Sequence, residues 1–124
     1  MKFMVVDDSN VIRTMIQDAL KNRDLEFVGE AENGIEAVSE FQKYQPELVT
    51  MDITMPKLDG IETIKRMMAI APHTRILVIS ALADKKTLLK AIKLGASGFL
   101  CKPFDDRDLI ESIEELVEQV LEAA

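Results

Sequence analysis

Cysteine occurs once in these 124 residues, at Cys101, so no internal disulfide can form and no cysteine-rich zinc site can be built. A reducing compartment suits such a chain, and the cytoplasm is the expected location. Long hydrophobic runs are also missing. No stretch approaches the roughly 18 uninterrupted apolar residues of a membrane span, and only Phe3 to Val6 precede the first acidic pair, too few for the apolar part of a signal peptide. No membrane partner is expected. Positive charge is in deficit: 15 Lys and Arg stand against 22 Asp and Glu, for a formal net charge of −7. That balance disfavours a binder of phosphate backbones, which works by releasing counterions to Lys and Arg, so no direct nucleic-acid contact is expected. A cation is the more natural partner. No G-x-x-x-x-G-K-[ST] run or other glycine-rich phosphate loop is present, which argues against a bound nucleotide.

What the chain does contain is a 48% hydrophobic composition over a length that suits one globular domain, residues 1–124. Short β-branched or apolar runs alternate five times with longer stretches of helical period. Strands are expected at Lys2 to Val6, Glu26 to Ala31, Leu48 to Met51, Ile76 to Ser80 and Gly98 to Cys101, with the third and fourth apolar on both faces. Such strands belong in a parallel sheet covered by helices on both sides. The helical stripes are Val11, Ile12, Met15, Ile16, Ala19 and Leu20, then Ile35, Val38 and Phe41, then Ile61, Ile64 and Met68, then Leu88, Leu89 and Ile92. The last stripe runs through Leu109, Ile110, Ile113, Leu116, Val117, Val120 and Leu121. Asn33-Gly34 reads as a turn, and Asp59 and Asp105 or Asp106 as helix N-caps. The expected class is α/β, a doubly wound parallel sheet of five strands with five helices.

In such a sheet, ligands lie beyond the carboxyl ends of the strands, where strand order reverses. Reading those ends in turn gives Asp7 and Asp8 after the first strand, Asp52 after the third, Ser80 after the fourth and Lys102 after the fifth. With strands ordered 2-1-3-4-5, the first and third are neighbours and three carboxylates meet at one rim. Their mutual repulsion and lost hydration call for a cation. Oxygen ligands without His or Cys point to a hard divalent ion, Mg²⁺ above all. Lys102 and Ser80 add a positive charge and a hydroxyl donor, which together with metal suit a phosphoryl group. Asp52, on the middle strand, is then a candidate nucleophile towards phosphorus.

VVDDSN, TMDITMP, VISA and FLCKPF, in this order over almost the whole chain, resemble a response-regulator receiver domain of two-component signalling. TMDITMP followed by KLDG, with nothing after Ala124, is similar to stand-alone chemotaxis-type receivers. The resemblance implies a flavodoxin-like fold of strand order 2-1-3-4-5 and an aspartyl phosphate at Asp52, with phosphoryl drawn from a histidine kinase. It implies Mg²⁺ bound by Asp8 and Asp52, by Asp7 mainly through water, and by the backbone carbonyl of Thr54. Ser80 becomes the switch hydroxyl, Phe99 the aromatic that changes rotamer with it, Lys102 the phosphoryl-binding ammonium, and Lys102-Pro103 a cis bond. The chain would be no enzyme beyond its own phosphorylation and dephosphorylation. Its downstream protein target would be a flagellar motor switch or a phosphorelay component. Two positions depart from the best-known stand-alone pattern, Thr54 and Leu82, which flank the path of the hydrolytic water. Leu82 offers no polar group to orient water and implies a longer-lived phosphoryl group.

Taken singly, these residues have plainer readings. Asp7 or Asp8 alone is a helix N-cap, Ser80 a strand-end hydroxyl, Lys102 a solvated lysine and Phe99 a core residue. Cys101 reads as a small apolar filler late in a buried strand, His73 as a loop residue, and most methionines as core. Lys86, Lys90 and Lys93 share one helical face, and Glu111, Glu115, Glu118 and Glu122 another. Flanking the Phe99 strand, these faces suit a protein partner of mixed charge. Two other functions compete. A Mg²⁺-dependent phosphohydrolase passing through an aspartyl phosphate would want a second Asp two residues after the nucleophile, where Thr54 stands. A flavin-binding module would want an uncharged phosphate-cradling loop where DDSN stands.

Overall fold

The computed structural model describes residues 1–53, 59–81 and 85–123. Five strands and five helices alternate: β1 (Lys2–Val6), α1 (Asn10–Leu20), β2 (Glu26–Ala31), α2 (Gly34–Tyr44), β3 (Leu48–Asp52), α3 (Gly60–Ile70), β4 (Arg75–Ser80), α4 (Lys85–Lys93), β5 (Gly98–Cys101) and α5 (Asp106–Ala123). All pairings are parallel and the sheet order is β2-β1-β3-β4-β5. The expected boundaries hold to within a residue, β3 running on to Asp52 and β4 starting at Arg75.

Alternation along the strands sorts side chains into two cores, because successive residues point to opposite faces. Met4 and Val6 of β1, Val49 and Met51 of β3, and Ile76 and Val78 of β4 pack against Phe41 of α2, Ile64 and Met67 of α3 and Ala91 of α4. Phe3 and Val5, Leu48, and Leu77 and Ile79 face the other way, onto Ile16 and Leu20 of α1 and Leu109, Ile113 and Leu116 of α5. Each of these side chains other than Ala91 contributes about 1.5–3 kcal/mol by leaving water. β3 is buried along its whole length, as expected for a central strand covered on both faces.

Several local expectations are corrected. The N-cap of α1 is Ser9, neither Asp7 nor Asp8; its hydroxyl accepts from the Ile12 amide at 3.2 Å. Asn33 is the N-cap of α2, with Gly34 already in the helix, in place of the expected turn: in extended backbone its side-chain oxygen accepts from Glu36 N at 2.9 Å. Asp59 does cap α3 and Asp105 does cap α5, through the amides of Glu62 and Asp108 at 2.8 Å. Cys101 is exposed, because β5 is an edge strand whose alternate residues, Phe99 and Cys101, face outward. Val11, Ile35, Leu89, Ile92 and Leu121 are exposed although they fall on apolar stripes. These stripes are wider than the face each helix lays on the sheet; α4 fully buries only Ala91.

Gly60 sets how closely α3 follows β3. A Cβ there would lie 2.3 Å from Ile53 Cα and 2.8 Å from Ile53 Cβ, so only glycine lets the helix start against the chain leaving the strand.

Candidate functional site

The carboxyl ends of β1, β3, β4 and β5 deliver the polar residues of one rim. Register places them side by side: Val6 pairs with Met51, Asp52 with Ile79, and Ser80 with Cys101. Asp7 continues β1 by donating its N–H to Ala31 O at 3.0 Å, and Lys102 continues β5 by donating to Ser80 O at 2.9 Å. A parallel sheet thus brings four strand ends, far apart in sequence, to one rim, with the topological switch between β1 and β3 at its centre.

Carboxylate oxygens of Asp7, Asp8 and Asp52 lie within 4.8 Å of one another. Asp7 and Asp52 are each 1% exposed, whereas Asp8 is open to solvent. Lys102 Nζ donates to Asp7 Oδ2 at 2.9 Å and reaches Asp52 Oδ2 at 3.4 Å. The Ser9 amide donates to Asp7 Oδ1 at 2.9 Å. Ser80 is buried at the end of β4. Phe99, expected as core from packing statistics alone, is 38% exposed on β5. The Lys102–Pro103 peptide is cis. Thr54 and Leu82 lie outside the described residues.

Three carboxylates against one ammonium leave two uncompensated negative charges in a largely buried space. Burial pushes the Asp7 carboxyl above its ordinary 3.8, with the Asp52 charge adding to the rise and the Ser9 amide and Lys102 only partly offsetting it. Burial alone would lower Lys102; its hydrogen bond to Asp7 and the charges of Asp52 and Asp7 outweigh that and hold it above the ordinary 10.5. This donor set of hard oxygens with an unmet demand for two positive charges fits a divalent ion of the Mg²⁺ class.

The Asp7 shift has a measurable consequence. A carboxyl whose pKa is higher in the folded than in the unfolded chain favours folding below its unfolded value and loses that contribution as pH rises through the folded one. In metal chelator, Asp7→Asn is therefore expected to melt above the native chain at neutral pH, with the advantage disappearing below about pH 3.8. Thermal melts across this range check it; a variant less stable at neutral pH would contradict the electrostatic account.

One residue of the site went unread in the sequence. Arg13 is 8% exposed, and its Nη1 donates to the Asp7 carbonyl oxygen at 2.7 Å. A signal existed: Arg13 shares the buried face of α1 with Ile16 and Leu20, three and seven positions on, where an unpaired cation could not stay.

Comparisons with known proteins agree with this geometry. Residues 3–114 match the family model of the response regulator receiver domain. The chain is 41% identical to the chemotaxis protein CheY of Listeria monocytogenes, over 93% of this chain and 97% of that one. Among solved structures it is similar to the response regulator domain of Thermotoga maritima CheB, at 34% identity and TM-score 0.81, covering 99% of this chain and 95% of that one. The CheX-CheY-BeF3-Mg complex from Borrelia burgdorferi also matches, at 27% identity and TM-score 0.90, over 94% and 89% of the two chains. Sheet order, acidic rim and family match together establish that this chain belongs to the response regulator receiver domains and is CheY-like.

Proposed function

We propose that residues 1–124 work as one receiver domain whose Asp52 accepts a phosphoryl group from a phosphohistidine of a histidine kinase. The observation that carries this reading is the meeting of Asp7, Asp8 and Asp52 within 4.8 Å, with Lys102 Nζ in contact with both buried carboxylates. A carboxylate oxygen of Asp52 attacks phosphorus in line; the P–N bond breaks, its electron pair stays on the imidazole, which takes up a proton, and an acyl phosphate remains. Asp7, Asp8, Asp52 and the Thr54 carbonyl would hold Mg²⁺, which when bound neutralises charge on the transferring oxygens. Lys102 supplies the second positive charge from the opposite side of the rim, and the Ser80 hydroxyl donates to a phosphoryl oxygen. The Mg²⁺ of the Borrelia complex, in a chain of the same fold, supports the choice of ion.

The acyl phosphate then biases a conformational equilibrium, which it can do only by interacting differently with the two states. Ser80 and Phe99 are the residues through which that bias reaches the α4–β5–α5 surface. Lys86, Lys90 and Lys93 are exposed on α4, Glu111, Glu115, Glu118 and Glu122 on α5, and Phe99 on β5. A protein target with apolar anchors and charges of both signs suits this face, whether a motor switch or a phosphorelay component. Among the described residues no helix is long and apolar enough to cross a membrane, which is compatible with work in the cytoplasm.

Incubation with Mg²⁺ and acetyl phosphate, followed by peptide mass spectrometry, tests the reading. One phosphoryl group on the peptide containing Asp52 is expected; rapid multiple turnover of assorted phosphoesters would favour a hydrolase instead. The lifetime of that group is a separate matter. Leu82, two residues after Ser80, has no polar atom to orient water, so Leu82→Glu is expected to speed autodephosphorylation several-fold. An unchanged rate would remove Leu82 from the account.

A further inference from the structure

We infer that Arg13 is a positioning residue for the metal-holding carboxylates, acting on the peptide that joins Asp7 to Asp8; the inference rests on the proposed Mg²⁺ site. Its guanidinium forks three ways. Nη1 donates to the Asp7 carbonyl at 2.7 Å, Nε to Glu30 Oε1 at 3.0 Å and Nη2 to Asn10 Oδ1 at 3.3 Å. Glu30 is held in turn by Gln17 Nε2 at 2.9 Å. The fork therefore ties the first turns of α1 to the far end of β2 and sets both against the end of β1.

Asp7 is fixed at every polar atom. Its N–H donates to Ala31 O, Oδ1 accepts from the Ser9 amide, Oδ2 accepts from Lys102, and its carbonyl accepts from Arg13. The first three hold Asp7 itself. The fourth does something different, because a peptide is planar: orienting the Asp7 carbonyl orients the Asp8 N–H and places the Asp8 Cα. Asp8 is exposed, so burial does little to fix its side chain, and the plane of this peptide helps set where its carboxylate enters the cluster. The Nη1 donor supplies the contact that holds this plane, while the other two arms of the guanidinium hold α1 against β2. Outer groups that orient metal ligands typically account for about 10–100-fold in metal affinity.

Mn²⁺ binding followed by electron paramagnetic resonance, with Mg²⁺ as competitor, reads this without any phosphoryl chemistry. Arg13→Met is expected to weaken Mg²⁺ binding about tenfold or more. Glu30→Gln, which breaks the ion pair but leaves the Asp7 carbonyl contact, is expected to lower the melting temperature while keeping Mg²⁺ affinity within about twofold of native. Arg13→Lys returns one donor to the carbonyl without the fork, so it is expected to recover most of the affinity and little of the stability. Native affinity in Arg13→Met, or an equal loss in Glu30→Gln, would overturn the inference. Should Arg13→Met fail to fold, the split in Arg13→Lys decides: near-native affinity with lowered stability supports it, and affinity lost in step with stability overturns it. A native chain that takes up no Mg²⁺ would instead sink the metal site on which the inference rests.

Discussion

Asp52→Asn is expected to abolish phosphoryl uptake from acetyl phosphate and Mg²⁺, by at least about 100-fold in labelled fraction, while leaving the fold intact. The amide has the size of the carboxylate but lacks an anionic oxygen that can form an acyl phosphate. It also removes one of three clustered negative charges and can still accept from Lys102, which stands 3.4 Å from Asp52 Oδ2. The variant should therefore fold at least as well as the native chain without metal, so unfolding cannot explain lost labelling. Intact-mass spectrometry measures the labelled fraction, and circular dichroism confirms the fold. Labelling that persisted at the native level would remove Asp52 as the acceptor. Asp7→Asn offers a useful contrast: it keeps the proposed nucleophile but weakens the proposed metal set, so labelling should slow without disappearing.

Gly60→Ala should be strongly destabilising, costing about 3 kcal/mol or more. In an isolated helix, alanine would help by about 0.5–1 kcal/mol. Here the added methyl would meet backbone, at 2.3 Å from Ile53 Cα, and neither the end of β3 nor the start of α3 can move without disturbing buried neighbours such as Met51 and Ile64. The steric term exceeds the propensity term. For a chain of this length such a loss lowers the melting temperature by roughly 10–15 °C. Thermal and urea unfolding measure it, and a melting temperature equal to or above the native one would show that the junction relaxes freely. Because Ile53 directly follows Asp52, the junction that Gly60 permits also bears on the strand end that carries Asp52.

Strand-by-strand agreement came from β3 and β4, whose unbroken apolar character has few other uses, and from caps such as Asp59, whose chemistry is local. Local chemistry also explains the misreadings. Asn33 favours turns and N-caps alike, and only the extended backbone before α2 selects the cap. Asp7 and Ser9 compete for one capping role two residues apart; Asp7 is drawn to Lys102, so Ser9 takes the cap. Cys101 and Leu100 look equally apolar in sequence, yet the edge position of β5 turns one outward.

The order of apolar runs, helical periods and strand-end carboxylates determined by itself the α/β class, the five βα units and the identity of the residues at the rim, since periodicity and charge are properties of neighbouring positions. Tertiary structure alone decided how those residues meet. Lys102 lies 95 positions from Asp7 in the chain and 2.9 Å from it in space, and the buried Arg13 grips a carbonyl that has no side-chain signature at all. Contacts of that kind arise where elements far apart in sequence are brought to one sheet edge, and no local pattern encodes their distances.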